Sequence, residues 1–407
     1  MAALRSRLNN GLLRFWIYQA VGIENRYVHS VFKDGEIFSK KIYSFKQSSS
    51  LIFNQSCGNH ITLTSHSYSQ TPEHEKKSTD KSHRSPHSLV EKDLSSLTDE
   101  IRQEFSTASK ELCEVVEYYF DGQGKAFRPM VVLLMSHACN KHINLYNPQI
   151  IKSQKRISVI AEMIHTASLV HDDVIDAADT RRGKTSVNLV WGQRKSILAG
   201  DFILSVASMA LARIRNEQIV TILSQVIEDL VRGEFMQLGS KEDENERFSH
   251  YLRKTFKKTA SLLANSCKAV AVLANCEEDV TDIAYQYGRN IGIAFQLIDD
   301  LLDFTSCDKT LGKPTAADLK LGLATAPVLF AAQQYPQLNS LIMRRFSKSG
   351  DVETARHLVA KSEGVEQTKL LAIQHGREAI RQINQLDQSD EQRALINIVN
   401  MVLNRSK

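Results

Sequence analysis

From about Leu89 onward, apolar residues recur at three- and four-residue intervals almost to the end of the chain. Leu94, Leu97, Ile101 and Phe105 illustrate the stripe. That spacing lines one face of an α-helix, and no stretch sustains the two-residue alternation of a half-buried strand. Only five prolines fall in this region. The pattern predicts ten or more helices packed as one all-α domain over residues 89–407, arranged around a central cavity if its polar clusters are to meet.

The pattern fails upstream. Residues 46–88 are rich in Ser, His, Thr and Lys and hold Pro72 and Pro86, which reads as a linker or processed leader without packed structure. Its five histidines have no regular metal spacing. Residues 1–45 start differently. Arg5, Arg7 and Arg14 precede the first acid, Glu24, while Leu4, Leu8, Leu12, Leu13, Phe15 and Trp16 share much of one helical face. An arginine-bearing, acid-free amphipathic start resembles a mitochondrial transit peptide. The alternative is a disordered basic tail.

Composition adds exclusions. Of 407 residues, 42% are hydrophobic and 24% charged, which suits a globular chain, and no apolar run reads as long enough to span a bilayer. The net charge is +5, but the first 90 residues carry twelve Lys and Arg against six acids, leaving the helical region near neutrality. A nucleic-acid binder concentrates its basic excess on the folded domain, so no nucleic-acid partner is expected. Six cysteines without a CxxC pair argue against a zinc site or a disulfide framework.

The candidate chemistry lies where two apolar runs turn acidic. One reads HTASLVHDDVIDAADTRRGK and places Asp172, Asp173 and Asp176 in a DDxxD cluster. Residues four apart share a helical face, so Asp172 and Asp176 point together. Crowded carboxylates repel unless a cation lies between them, and hard oxygen donors suit Mg2+, which completes its shell with water and substrate phosphates. Arg181, Arg182 and Lys184 follow closely, as cations able to grip phosphate. Alone, such a cluster reads equally well as a solvated helix end. A second one decides: FQLIDDLLDF repeats the spacing at Asp299, Asp300 and Asp303.

Other positions join these. Lys125 and Arg128 in GQGKAFRP stand at a helix N-terminus, where the dipole favours anions. His165 lies two turns before Asp172, on its face. His171 reads as structural. Lys258 and Thr259 precede an apolar helix and suit an inward orientation, and Lys313 lies in a Gly/Pro-marked loop beyond the second cluster.

Taken in order, GKAFRP, DDVIDAADTRRG, the KT pair, FQLIDDLLD and GKPTAADLKLG resemble the trans-prenyltransferases, or polyprenyl diphosphate synthases. The likeness runs from about residue 90 to the end and is strongest to the mitochondrial decaprenyl (solanesyl-type) branch. It implies an isoprenoid-synthase-type helical bundle and about three Mg2+ ions per active site. Asp172, Asp176 and Asp299 would hold metal most directly, with Asp173, Asp300 and Asp303 mainly behind them. The resemblance gives Lys125, Arg128, His165 and Arg182 to isopentenyl diphosphate. It gives Arg181, Lys258 and Lys313 to the allylic diphosphate, farnesyl or geranylgeranyl, and sets Thr259 and Gln296 against the developing carbocation. Ala167 and Ser168 would stand where bulky residues close the cavity in short-chain relatives. The basic C-terminal tail of farnesyl diphosphate synthases is only partly present in NRSK. A second, divergent synthase subunit and a place in the mitochondrial matrix, with peripheral contact to the inner membrane, are implied too. Two rivals stay open, a class I terpene cyclase and a non-catalytic subunit that shapes another chain's tunnel.

Overall fold

Serine and proline start the described fold. Ser85 accepts the backbone N–H of Ser88 and Pro86 occupies the first turn, so helix α1 (Pro86–Ser95) begins three residues before the expected boundary. The structure is a computed structural model, and it describes residues 85–106, 109–120, 126–239, 244, 246–305 and 316–405. The expectations for residues 1–84, and for Lys125 and Lys313, lie outside these.

The described residues belong to one compact unit. After α1 come α2 (Leu97–Glu104), α3 (Lys110–Glu117), α4 (Phe127–His142) and the long α5 (Pro148–Ile175). A two-stranded hairpin follows, β1 (Thr180–Arg181) with β2 (Lys184–Thr185). Next are α6 (Val187–Trp191), α7 (Gln193–Ala212), α8 (Glu217–Gly239) and α9 (Arg247–Thr255). One π-helical turn over Phe256–Ala260 joins α9 to α10 (Ser261–Leu273), and α11 (Glu278–Thr305) matches α5 in length at 28 residues. The remainder is α12 (Ala317–Lys320), α13 (Ala326–Gln334), α14 (Leu338–Met343), α15 (Asp351–Lys361), α16 (Gly364–Ile383) and α17 (Asp390–Leu403). The all-α expectation is borne out, with the short hairpin as its one departure among the described residues.

The main core gathers α4, α5, α7, α8, α10, α11 and α17, and a smaller apolar cluster sits under α12–α15. α10 lies between the two long helices and touches both. It gets close to α11 because two glycines remove the obstacle. A Cβ on Gly292 would lie 2.7 Å from Ala260 Cα, and one on Gly288 equally near Ala264 Cα. Such distances leave no room for any side chain.

One reading from the sequence needs correction. α7 is long and apolar enough, by length and composition, to cross a membrane. Its Ser196, Ala199, Ile203, Val206 and Ala210 stripe is buried, and the helix packs along α5. A core helix passes the same test.

Replacing Gly292 with Ala is expected to push the Phe256–Ala260 turn away from α11 and to destabilise the protein by about 1–3 kcal/mol. Urea unfolding measures it, and an unchanged midpoint would show that the two helices have slack.

Candidate active site

Both acid clusters sit in the last turns of the two 28-residue helices. At the end of α5, Asp172 is half-buried and Asp176, the C-cap, is exposed. Burial pushes the Asp172 carboxyl up to about 6; Glu234 and Asp176 add to this and Lys258 opposes it. Asp176 is raised as well, first by burial.

Asp173 faces the other way. It is fully buried, and its Oδ1 accepts Nε and Nη2 of Arg181 at 2.8 and 2.5 Å. Its Oδ2 accepts the Tyr119 hydroxyl. With both oxygens engaged, Asp173 anchors Arg181. The hairpin completes the device. Arg182 and Gly183 both have positive φ, 52° and 78°, the two-residue turn that suits the twist of paired strands. Arg181, paired with Lys184 across the hairpin, therefore reaches inward, while Arg182 is exposed.

The second cluster repeats this plan. Asp299 is exposed and Asp300 is buried. Asp300 accepts the Tyr251 hydroxyl at 2.5 Å and the Gln296 amide at 2.8 Å, and burial pushes its carboxyl up to about 6. Asp303 accepts the backbone N–H groups of Ala317 and Asp318 at 3.0 and 3.3 Å. Its carboxylate thus caps α12, and the chain beyond α11 returns to the acid cluster it left. Asp299 pairs with Arg405 near the C-terminus.

The expected isopentenyl-side group comes together as far as it is described. Arg128 Nη1 lies 2.9 Å from His165 Nε2. A guanidinium only donates, so Nε2 accepts and the proton sits on Nδ1. Burial, followed by Arg128, Arg182 and Arg181, holds the His165 pKa well below its ordinary value, so the imidazole is neutral. Glu162 lies close enough to feel both Arg128 and Arg182, and burial raises its pKa.

Lys258 and Thr259 occupy the π-helical turn, a distortion that often marks functional sites. Lys258 Nζ pairs with Glu234 and donates to Gln237 Oε1 at 3.1 Å. Gly233 makes room: a Cβ there would meet Lys258 Cγ at 2.7 Å. Thr259 Oγ1 donates to Gln296 Oε1 at 2.9 Å, so these two expected partners do meet. Lys257 turns to Asp229 at 2.6 Å. Ala167 is fully buried in the main core, and Ser168 donates to the His165 carbonyl at 2.8 Å.

Sequence reasoning missed several participants. Tyr119, Tyr251, Glu162, Glu234, Gln237 and Arg405 all touch or face expected site residues. For Glu234 a signal existed, since RGEFMQ places an acid and an amide one turn apart on an apolar helix.

These donors suit Mg2+. No group of three His, Cys, Asp or Glu side chains converges into a metal cage among the described residues. Mg2+ does not need one, because it keeps waters and borrows oxygens from bound phosphates. Carboxylates of raised pKa beside one another gain most from a cation.

Two separated cation groups flanking paired acid clusters, in an all-α frame, define an enzyme that handles diphosphates, a prenyltransferase. A family model described as "Polyprenyl synthetase" matches residues 109–359, and the chain belongs to that family. Members generally depend on Mg2+. The human "All trans-polyprenyl-diphosphate synthase PDSS1" is 62% identical over 322 residues, 79% of this chain and 77% of that protein. "Decaprenyl-diphosphate synthase subunit 1" of Schizosaccharomyces pombe is 45% identical over 343 residues, 78% of this chain and 91% of that protein. Among solved structures, a polyprenyl synthase from Caulobacter crescentus complexed with calcium and isoprenyl diphosphate superposes with a TM-score of 0.70. It is 29% identical and covers 79% of this chain and 97% of its own.

A cation bound at Asp172 would compete with protons as the pH falls through about 6. Mg2+ affinity of the substrate-free enzyme is expected to weaken by up to about tenfold per pH unit below that point. Asp172→Asn should flatten the profile at a lower affinity. Calorimetric titration across this range checks it, and a flat wild-type profile contradicts the assignment.

Proposed function

We propose that the chain is a long-chain all-trans-polyprenyl diphosphate synthase. It adds isopentenyl diphosphate units to farnesyl or geranylgeranyl diphosphate and supplies the nona- or decaprenyl side chain of ubiquinone. The observation that carries this reading is the pairing of two acid clusters with two distinct cation groups. A terpene cyclase has no use for the second group, Arg128 and Arg182 with Lys125. A subunit that only shaped another chain's tunnel would gain nothing from six costly carboxylates.

Asp172, Asp176 and Asp299 would hold Mg2+, about three ions per site, which would supply positive charge against the leaving diphosphate. Arg181, set by Asp173, and Lys258, steadied by Glu234 and Gln237, grip the allylic diphosphate along with Lys313. Arg128 and Arg182, with Lys125, hold isopentenyl diphosphate. Neutral His165 orients Arg128 and offers its Nδ1 proton. Thr259 and Gln296 present oxygen dipoles to the carbocation, which the alkene of isopentenyl diphosphate attacks before a proton is lost. The departing diphosphate is itself a base for that proton. Positioning and fixed charge carry the catalysis.

The full assembly includes a second, divergent subunit. Exposed Leu189, Val190, Ile197, Leu198, Val231 and Phe235 on adjoining α6, α7 and α8 offer the apolar surface for it. The relative named "Probable hexaprenyl pyrophosphate synthase, mitochondrial" and the acid-free start of this chain support a mitochondrial place. The matrix, beside the inner membrane that takes up so apolar a product, is the compartment proposed.

Purified chain given both diphosphates, alone and with candidate partners, tests the activity. Asp172→Ala and Asp299→Ala should each lower kcat/KM on the order of a thousandfold. Near-normal turnover in both would end the two-cluster reading.

Product length gives a sharper test. Ala167 lies about one turn before the acid cluster, and a tail leaving the metals passes this face of α5. Ala167→Phe puts a ring where the tail would pass, so it should shorten the product from about nine or ten units to far fewer. Chromatography of the products, with a melting curve to confirm folding, decides it. A folded, active variant with unchanged products would sink the tunnel assignment.

A further inference from the structure

The most exposed ligand of the second acid cluster is already occupied, and the occupant comes from the far end of the chain. α17 ends at Leu403, whose side chain packs against α16 at Gly376. Two residues later Arg405 reaches across to α11. Its Nη2 donates to the Phe295 carbonyl at 3.0 Å and pairs with Asp299 Oδ1. Its guanidinium lies over the Phe295 ring, 3.9 Å from the centroid, and Phe295 in turn packs on Phe127 at 5.2 Å. Phe295 and Asp299 are one helical turn apart on the same face, so a single planar cation covers both. Phe127 begins α4 immediately before Arg128, so this contact abuts the isopentenyl-side cations.

The contact has the marks of one that exchanges. The Arg405 side chain is 17% exposed, yet the Asp299 carboxylate is 45% exposed and open to solvent. Arg405 Nε is buried without a hydrogen-bond partner. An unpaired buried N–H weakens the resting state, whereas a permanent bridge would satisfy it. Asp173, by contrast, has both oxygens filled inside the protein and no route to solvent. In the first cluster the cation that acts most on Asp172 is Lys258, which is itself held by Glu234.

We propose that Arg405 is a resting-state counter-ion for Asp299, a C-terminal latch that a divalent cation must displace to complete the second metal cluster. This rests on the reading of Asp299 as a metal ligand. Two positive charges on one carboxylate repel, so a metal ion at Asp299 and the Arg405 guanidinium oppose each other there. Linkage then requires reciprocity: Mg2+ frees the tail, and loss of the tail cation strengthens Mg2+ binding by the same factor. The substrate-free enzyme thus keeps its two clusters unequal. The first accepts cation directly, and the second only when the last residues of α17 let go. Arg405 is a positioning residue in this scheme, acting through Asp299.

Two readouts on the full-length chain without substrate test it. Hydrogen exchange of the peptide spanning residues 400–407 should speed up when Mg2+ is added to wild type. Calorimetric Mg2+ titration should show Arg405→Gln binding about fivefold tighter than wild type, with Arg405→Lys in between. Asp299→Asn separates the two ideas. If it leaves Mg2+ binding untouched, the metal role of Asp299 is wrong. If it weakens binding while the wild-type tail ignores Mg2+ and Arg405→Gln binds as wild type does, Asp299 is a ligand and the latch is wrong. Should Arg405→Gln melt early, the wild-type exchange measurement decides alone: tail protection unaffected by Mg2+ overturns the proposal.

Discussion

Negative charge placed where helices least tolerate it governs this molecule. The carboxyl end of a helix carries a partial negative charge, and side-chain anions there are normally disfavoured. This chain ends both of its 28-residue helices with three aspartates apiece. Each cation in the neighbourhood answers that concentration. Arg181 is tied to Asp173, Lys258 sits within reach of Asp172 and Asp176, and Arg405 covers Asp299. Burial, with Glu234 and Asp176 beside it, still pushes the Asp172 carboxyl up. A site built this way suits Mg2+ and diphosphate together, because neither the anions of the protein nor those of a diphosphate are balanced alone.

The two clusters solve the same packing problem in the same manner. In each, the middle aspartate is buried and accepts a tyrosine hydroxyl: Tyr119 for Asp173 and Tyr251 for Asp300. A second donor fills the other oxygen, Arg181 in one case and Gln296 in the other. Helical geometry forces this outcome, since adjacent residues project about 100° apart and cannot both face one cavity. The inward carboxylate then becomes a mounting point. Asp173 fixes an arginine, whereas Asp300 fixes the glutamine that also meets Thr259.

Much of this could be read from the sequence where spacing is local. Apolar periodicity gave the helices, and i,i+4 carboxylates marked Asp172 with Asp176 and Asp299 with Asp303. Which aspartate turns inward was not legible, because it depends on Tyr119 and Tyr251, far off in the chain and unmarked by any motif. Asp303 likewise caps α12, a role that appears only once the chain folds back. Arg405 and Asp299 lie 106 residues apart, and no periodicity links them. By resemblance alone, His165 stands as a phosphate holder beside cations. Its neutrality follows from burial among arginines, which a sequence does not display.

The π-helical turn at Phe256–Ala260 ties these strands together physically. An extra residue in one turn rotates the downstream helix relative to the upstream one, so consecutive lysines go to different places. Lys257 reaches Asp229 inside the bundle, and Lys258 reaches Glu234 beside the first acid cluster. Thr259 then meets Gln296 on α11, and Ala260 lies against Gly292 one turn earlier on the same helix. A regular helix would change all four contacts at once. This single turn therefore links the two acid clusters. Lys258 answers to α5 and Thr259 to α11, and Gly292 admits Ala260 against α11.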